Sequence, residues 1–222
     1  MASWALVTGA TAGIGESFTR LLADNNYNIV LVARDLPRMQ ERARELETRF
    51  KVSTHVIQAD LATDDGCAIV EKYITSNQID VLINNAGFGL NKAFTMSELV
   101  AEQQMMDVLV RTPMRLMHSA LPGMKERDKG IVINVSSVAG YIAGGSYSAA
   151  KSYLTVISES LNTELAATNV KVSALCPGFT RTEFHQRARM SMKGLPNFMW
   201  INSDDLVAQS WSDALKGKAV SI

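Results

Sequence analysis

Short apolar runs alternate with amphipathic stretches along the chain. Trp4–Thr8, Asn28–Ala33, Val52–Gln58, Ile79–Ile83, Ile131–Val135 and Val170–Cys176 are continuous and mostly rich in β-branched residues, as suits strands buried on both faces of a parallel sheet. Between them the apolar positions fall three and four apart. In Leu36–Phe50 the stripe is Leu36, Met39, Ala43, Leu46 and Phe50, and in Gly13–Asp24 it is Ile14, Phe18, Leu21 and Leu22, each backed by a polar face. Leu99–Met117 and Tyr147–Ala167 are long enough for two central helices, and Asp204–Lys216 makes a last helix before a stub of strand at Lys218–Ile222. This alternation predicts an α/β, doubly wound parallel sheet in three α/β/α layers, with residues 1–222 as one domain. Right-handed crossovers put every strand's C-terminal end on one edge, where ligands bind. The pattern breaks over residues 177–203, rich in Met, Phe, Arg and Gly, which read as a substrate-side loop or lid.

Composition narrows the picture. Lys plus Arg equals Asp plus Glu at 22 each, so the basic excess that grips nucleic acid is missing. A chain of 222 residues buries about 70% of its extended surface and needs no disulfide or metal to hold a core. Cys67 and Cys176 form no paired motif, and His185 has no partner at ligand spacing, so no metal site is expected. No run approaches the ~18 apolar residues of a membrane span. The N-terminus runs into a strand without a basic leader. A cytoplasmic protein is expected.

Two stretches carry chemistry. The first is Thr8-Gly-Ala-Thr-Ala-Gly-Ile-Gly15, between the first strand and the first helix. Gly9 permits a tight turn, Gly13 lets a pyrophosphate approach the helix N-terminus, and Gly15 allows close helix–strand packing. Gly9, Thr11, Gly13, Ile14 and Gly15 are the cofactor candidates here. The second strand ends Val32-Ala33-Arg34-Asp35, with Arg38 one turn on. A basic tip tolerates a ribose 2′-phosphate where an acidic one would bind the 2′-hydroxyl, so Arg34 predicts NADP(H) over NAD(H). The second stretch begins at Ser137, at the end of a buried strand, and continues ten residues on with Tyr147-Ser-Ala-Ala-Lys151. Spacing of four puts Tyr147 and Lys151 on one helical face. A nearby ammonium favours a phenolate, lowering the tyrosine pKa from about 10. The phenol then exchanges a proton with a carbonyl or alcohol oxygen that Ser137 also reaches.

These motifs, with Asp60 after the third strand, Asn84-Asn-Ala-Gly87 after the fourth and Pro177-Gly178 after the sixth, resemble the short-chain dehydrogenase/reductase (SDR) family, a Rossmann fold, along essentially the whole chain. The resemblance implies that Asp60 and Leu61 meet the adenine, and that Asn85, Ala86 and Gly87 line the adenosine ribose. It implies Tyr147 as acid/base, Lys151 on the nicotinamide ribose, Ser137 on the substrate oxygen, and Pro177, Gly178, Thr180 and Thr182 around the nicotinamide. It also implies a small-molecule carbonyl or alcohol substrate and a homodimer or homotetramer. Phe88, Tyr141, Phe179, Phe184, Met190, Met192, Phe198, Met199 and Trp200 predict an apolar pocket mouth, with Arg181, Arg187, Arg189 and Lys193 interleaved.

Two features depart from the family. Aligning Met106–Pro113 puts Leu109 where relatives carry a helix Asn that holds a proton-relay water, and no Asn lies between Asn91 and Asn134. The chain also stops inside the expected last strand. The alternative these departures suggest is an NADPH-binding regulatory or scaffold protein with weak or no turnover.

Overall fold

A computed structural model of the chain describes residues 3–183 and 196–222, apart from the side chain of Phe198. Seven parallel strands form one sheet in the order β3-β2-β1-β4-β5-β6-β7. They are β1 Trp4–Thr8, β2 Asn28–Ala33, β3 Thr54–Gln58, β4 Val81–Asn84, β5 Gly130–Val135, β6 Val170–Leu175 and β7 Val220–Ser221. The helices are α1 Gly13–Asp24, α2 Leu36–Phe50, α3 Asp64–Ser76, α4 Leu99–Met106, α5 Thr112–Glu126, α6 Gly145–Glu164 and α7 Ser203–Leu215.

The strand order reverses between β1 and β4, which opens a crevice at the C-terminal ends of these two strands. The pleat sends alternate residues to two cores. Ala5 and Val7 of β1 join Phe18, Leu22, Met39, Leu46 and Trp211 from α1, α2 and α7. Leu6 joins Val70, Ile74, Leu116, Met124 and Leu165 on the other face. Each layer therefore buries a full stripe, which gives the three-layer arrangement its stability.

Two elements differ from the sequence expectation. Helix α3 is capped by the Thr63 hydroxyl, which accepts from the Gly66 amide, and it buries Cys67, Val70 and Ile74. That stripe is short and flanked by polar residues, so its apolar content alone does not announce it. The stretch Leu99–Met117 is not one regular helix. A π turn, Asp107–Arg111, separates α4 from α5, which runs on to Glu126. The Thr112 hydroxyl donates to the Leu61 carbonyl at 2.7 Å, Arg115 forks onto Glu71, and Arg111 pairs with Asp64. These contacts tie the start of α5 to α3. No described helix is long and apolar enough to cross a membrane.

Candidate active site

The glycine-rich turn forms the floor of the crevice. Gly9 and Gly13 have φ of +64° and +57°, a region closed to most side chains. A Cβ on Gly13 would lie 2.8 Å from the Thr182 methyl, and one on Gly15 would strike the Gly9 carbonyl. Ala12 precedes α1 and offers no side-chain cap, so the first amides of the helix keep no side-chain acceptor and face the turn. A glycine cradle under an uncapped helix start fits a pyrophosphate. Thr11 is buried beside it and Ile14 is half-buried.

Strand β4 meets this turn through Thr8 and Asn85. The Thr8 hydroxyl accepts from the Asn85 and Ala86 amides at 2.9 and 3.0 Å. The Asn85 side-chain amide donates to the Thr8 and Gly9 carbonyls at 2.9 and 3.2 Å. That amide therefore holds the walls of the crevice together. Asp60 is exposed and accepts from the Ala62 amide at 3.1 Å, the contact of a turn-forming carboxylate. Leu61 is buried and its carbonyl takes the Thr112 hydroxyl. Gly87 lies at the crevice rim, with Lys151 Nζ 3.9 Å from where a Cβ would project.

Ser137, Tyr147 and Lys151 converge on this rim from β5 and α6. The Ser137 hydroxyl accepts from the Ala139 amide at 3.1 Å and lies near enough to the Tyr147 phenol to favour its ionised form. Lys151 is nearly fully buried, and its Nζ donates to the Val135 carbonyl at 2.6 Å. The ammonium sits 5.6 Å from the Tyr147 ring centre. Burial pushes the Tyr147 phenol up to about 12, and Ser137 offsets only part of this. Burial also pushes Lys151 down to about 8, opposed by nearby Cys176. The expected lowering of the tyrosine by its lysine is thus not seen: desolvation wins, because both groups lose water before they gain each other's charge.

Leu109, fully buried in the π turn, packs with Met105 and Ala150 against Phe88, Leu90 and Tyr147. Its Cδ2 lies 2.8 Å from the Cβ position of Gly87. Hydrocarbon fills the space that the family resemblance assigns to a helix Asn.

The family model described as short chain dehydrogenase matches residues 3–193. The chain belongs to the short-chain dehydrogenase family. It is 32% identical over 183 residues to an uncharacterized oxidoreductase of Staphylococcus saprophyticus, covering 80% of this chain and 78% of that protein. It is 34% identical over 184 residues to the very-long-chain 3-oxoacyl-CoA reductase of Laccaria bicolor, covering 78% of this chain and 53% of that protein. Among solved structures it is similar to a short-chain dehydrogenase from Sphingobium yanoikuyae in complex with NADPH. The TM-score is 0.94 at 29% identity, covering 99% of this chain and 87% of that one. The bulky-bulky ketone specific alcohol dehydrogenase from Comamonas testosteroni matches with a TM-score of 0.89 at 30% identity, covering 99% and 85%. This short-chain dehydrogenase is an NAD(P)-dependent oxidoreductase.

Arg34 is exposed at the end of β2. Pro177 is buried and its carbonyl accepts from the Val138 amide, linking the segment after β6 to the Ser137 turn. Thr180 is buried and its hydroxyl donates to the Gly178 carbonyl at 3.2 Å. Thr182 covers Gly13. Arg181 donates to Asn197 and lies over the Trp200 ring, so its charge is held by the protein. Phe184, His185, Arg187, Arg189, Met190, Met192 and Lys193 lie outside the described residues. An open depression of about 550 Å³ runs along the start of α6, lined by Gly140, Tyr141, Ile142, Ser148 and Ser152 among others.

Sequence reasoning missed three contributions: the Thr8 hydroxyl, the Val135 carbonyl under Lys151, and the pairing of Arg38 with Glu183, 145 residues apart. None has a local signal, because each partner is supplied by a distant crossover.

Proposed function

We propose that the chain reduces a bulky hydrophobic carbonyl to an alcohol, or runs the reverse, with NADP(H) preferred over NAD(H). The observation that carries this reading is the convergence of Ser137, Tyr147 and Lys151 on the rim of the glycine-floored crevice. Gly9, Thr11, Gly13, Ile14 and Gly15 would seat the pyrophosphate. Asp60, Leu61, Asn85, Ala86 and Gly87 would border the adenosine. Arg34, assisted by Arg38, would take a 2′-phosphate. Pro177, Gly178, Thr180 and Thr182 would flank the nicotinamide, with Lys151 at its ribose. The bound nicotinamide would supply or accept the hydride.

Tyr147 does the proton work in this reading. At neutral pH it holds its proton, as a group pushed up to about 12 must, and so acts as the acid for a carbonyl oxygen. Ser137, beside the phenol, orients that oxygen. Lys151, anchored on Val135, keeps a positive charge under the developing phenolate. Relatives named for 3-oxoacyl-CoA and bulky ketones support a large apolar substrate. A cytoplasmic homodimer or homotetramer is part of the proposal, since α4 and α6 leave Leu99, Val100 and Val156 exposed.

The test is NADPH oxidation over a panel of bulky ketones with wild type and Tyr147→Phe. The expected outcome is turnover that Tyr147→Phe lowers by about 10²–10⁴, with NADPH binding within about twofold. Unchanged turnover in the variant removes Tyr147 from the chemistry. The buried apolar cluster around Leu109 favours a second reading, a cofactor binder with weak turnover. NADPH binding without turnover across the panel supports it.

A further inference from the structure

Arg38 stands one turn into α2, after the exposed tip of β2. Its backbone amide donates to the Asp35 carboxylate at 3.0 Å, which fixes the first turn. Its guanidinium does not lie free over the crevice. It forks onto Glu183, Nη2 to Oε1 at 2.5 Å and Nη1 to Oε2 at 3.1 Å, while both side chains stay partly open to solvent. Glu183 follows Thr182, whose methyl covers Gly13 in the dinucleotide turn. The carboxylate therefore reaches from the segment after β6 to the start of α2. It crosses the C-terminal ends of β1 and β2, the side of the crevice where the adenosine half of a dinucleotide lies.

A phosphomonoester and a carboxylate ask the same thing of a guanidinium: two parallel N–H donors in one plane. Glu183 occupies the end-on Nη1/Nη2 fork of Arg38, which leaves an incoming anion only the Nε edge beside a bound carboxylate. We propose that Glu183 sets the cofactor preference of this chain by competing with a ribose 2′-phosphate for Arg38. The inference rests on the nucleotide reading above and deepens it. A 2′-phosphorylated adenosine must displace the carboxylate or bind beside it as a second anion. A 2′-hydroxyl nucleotide meets neither cost. Glu183 thus weakens the phosphorylated ligand selectively, and Arg34, exposed on the β2 tip, remains to meet it. Glu16 and Asp35 are the other carboxylates acting on Arg38.

The experiment is calorimetric titration of wild type, Glu183→Gln, Arg38→Leu and the double variant with 2′,5′-ADP and 5′-AMP, with thermal melts to check folding. Glu183→Gln is expected to tighten 2′,5′-ADP by about threefold to tenfold, the range of a forked but partly exposed pair, and to leave 5′-AMP unchanged. The gain is expected to disappear in the Arg38→Leu background and to shrink as salt is raised. An equal change for both nucleotides, no change, or weaker 2′,5′-ADP binding overturns the proposal. The last result would mean that the carboxylate positions Arg38 for the phosphate. If wild type binds 5′-AMP and 2′,5′-ADP equally, the NADP preference falls as well. If it binds neither, the nucleotide reading falls with the proposal.

Discussion

Burial disturbs the protonation of Lys151 and Tyr147 in opposite senses. Lys151 titrates near 8 in the folded chain against an ordinary 10.5. Between those values the native state binds fewer protons than the unfolded one, so this group's contribution to stability rises with pH. Tyr147 titrates near 12 against 10. There the native state binds more protons, so its contribution falls from pH 10 to 12. Lys151→Met removes the first effect. Its stability relative to wild type, from urea unfolding, is expected to be most favourable at pH 7 and to fall by up to about 3 kcal/mol by pH 10.5. Leu109 makes a separate prediction. An amide set among Met105, Ala150 and Phe88 loses its water without gaining a partner, so Leu109→Asn is expected to cost about 1–3 kcal/mol in melting experiments. Because Lys151 is oriented by Val135 and not by residue 109, turnover should change by less than about tenfold. A larger rise would mean that the chain lacks a proton path that Asn supplies. The chemistry-bearing residues were legible because motif spacing is local: Tyr147 and Lys151 need one helical turn. Their protonation was not legible, since it depends on how much water the fold removes.

The strand positions were legible because continuous β-branched runs report burial on both faces. Helix α3 was not, because a stripe of Cys67, Val70 and Ile74 among acids and a glycine carries little apolar contrast. The π turn was not legible either. It depends on Thr112, Arg111 and Arg115 reaching across to Leu61, Asp64 and Glu71, and no pattern within residues 99–117 encodes those partners. Gly66 shows how tightly α3 is seated. A Cβ there would run into the Asp60 carbonyl and backbone, and backbone cannot step aside as a flexible side chain does. Gly66→Ala is therefore expected to destabilise by about 1–3 kcal/mol and to raise the KM for NADPH by shifting Asp60 and Leu61. Urea unfolding and cofactor kinetics check the two effects separately.

The α1, α2 and α7 layer is closed by Trp211, which packs edge-on against Tyr27 with ring centres 5.8 Å apart. Trp211→Ala is expected to cost about 3–5 kcal/mol, measured by thermal or chemical unfolding. On the opposite layer, Val156 is 60% exposed on α6. If this face pairs copies, as proposed, Val156→Glu is expected to shift sedimentation toward monomer without lowering the melting temperature of the protomer. The Thr8–Asn85 cross-tie has a further consequence, in time rather than in space. It joins residues 76 to 78 positions apart, so the chain cannot make it from local structure. The two halves of the sheet must each collapse and then find one another, a slow event for contacts of such long sequence separation. In refolding experiments helical signal should therefore return before the ability to bind nucleotide, because the crevice does not exist until its two walls have met.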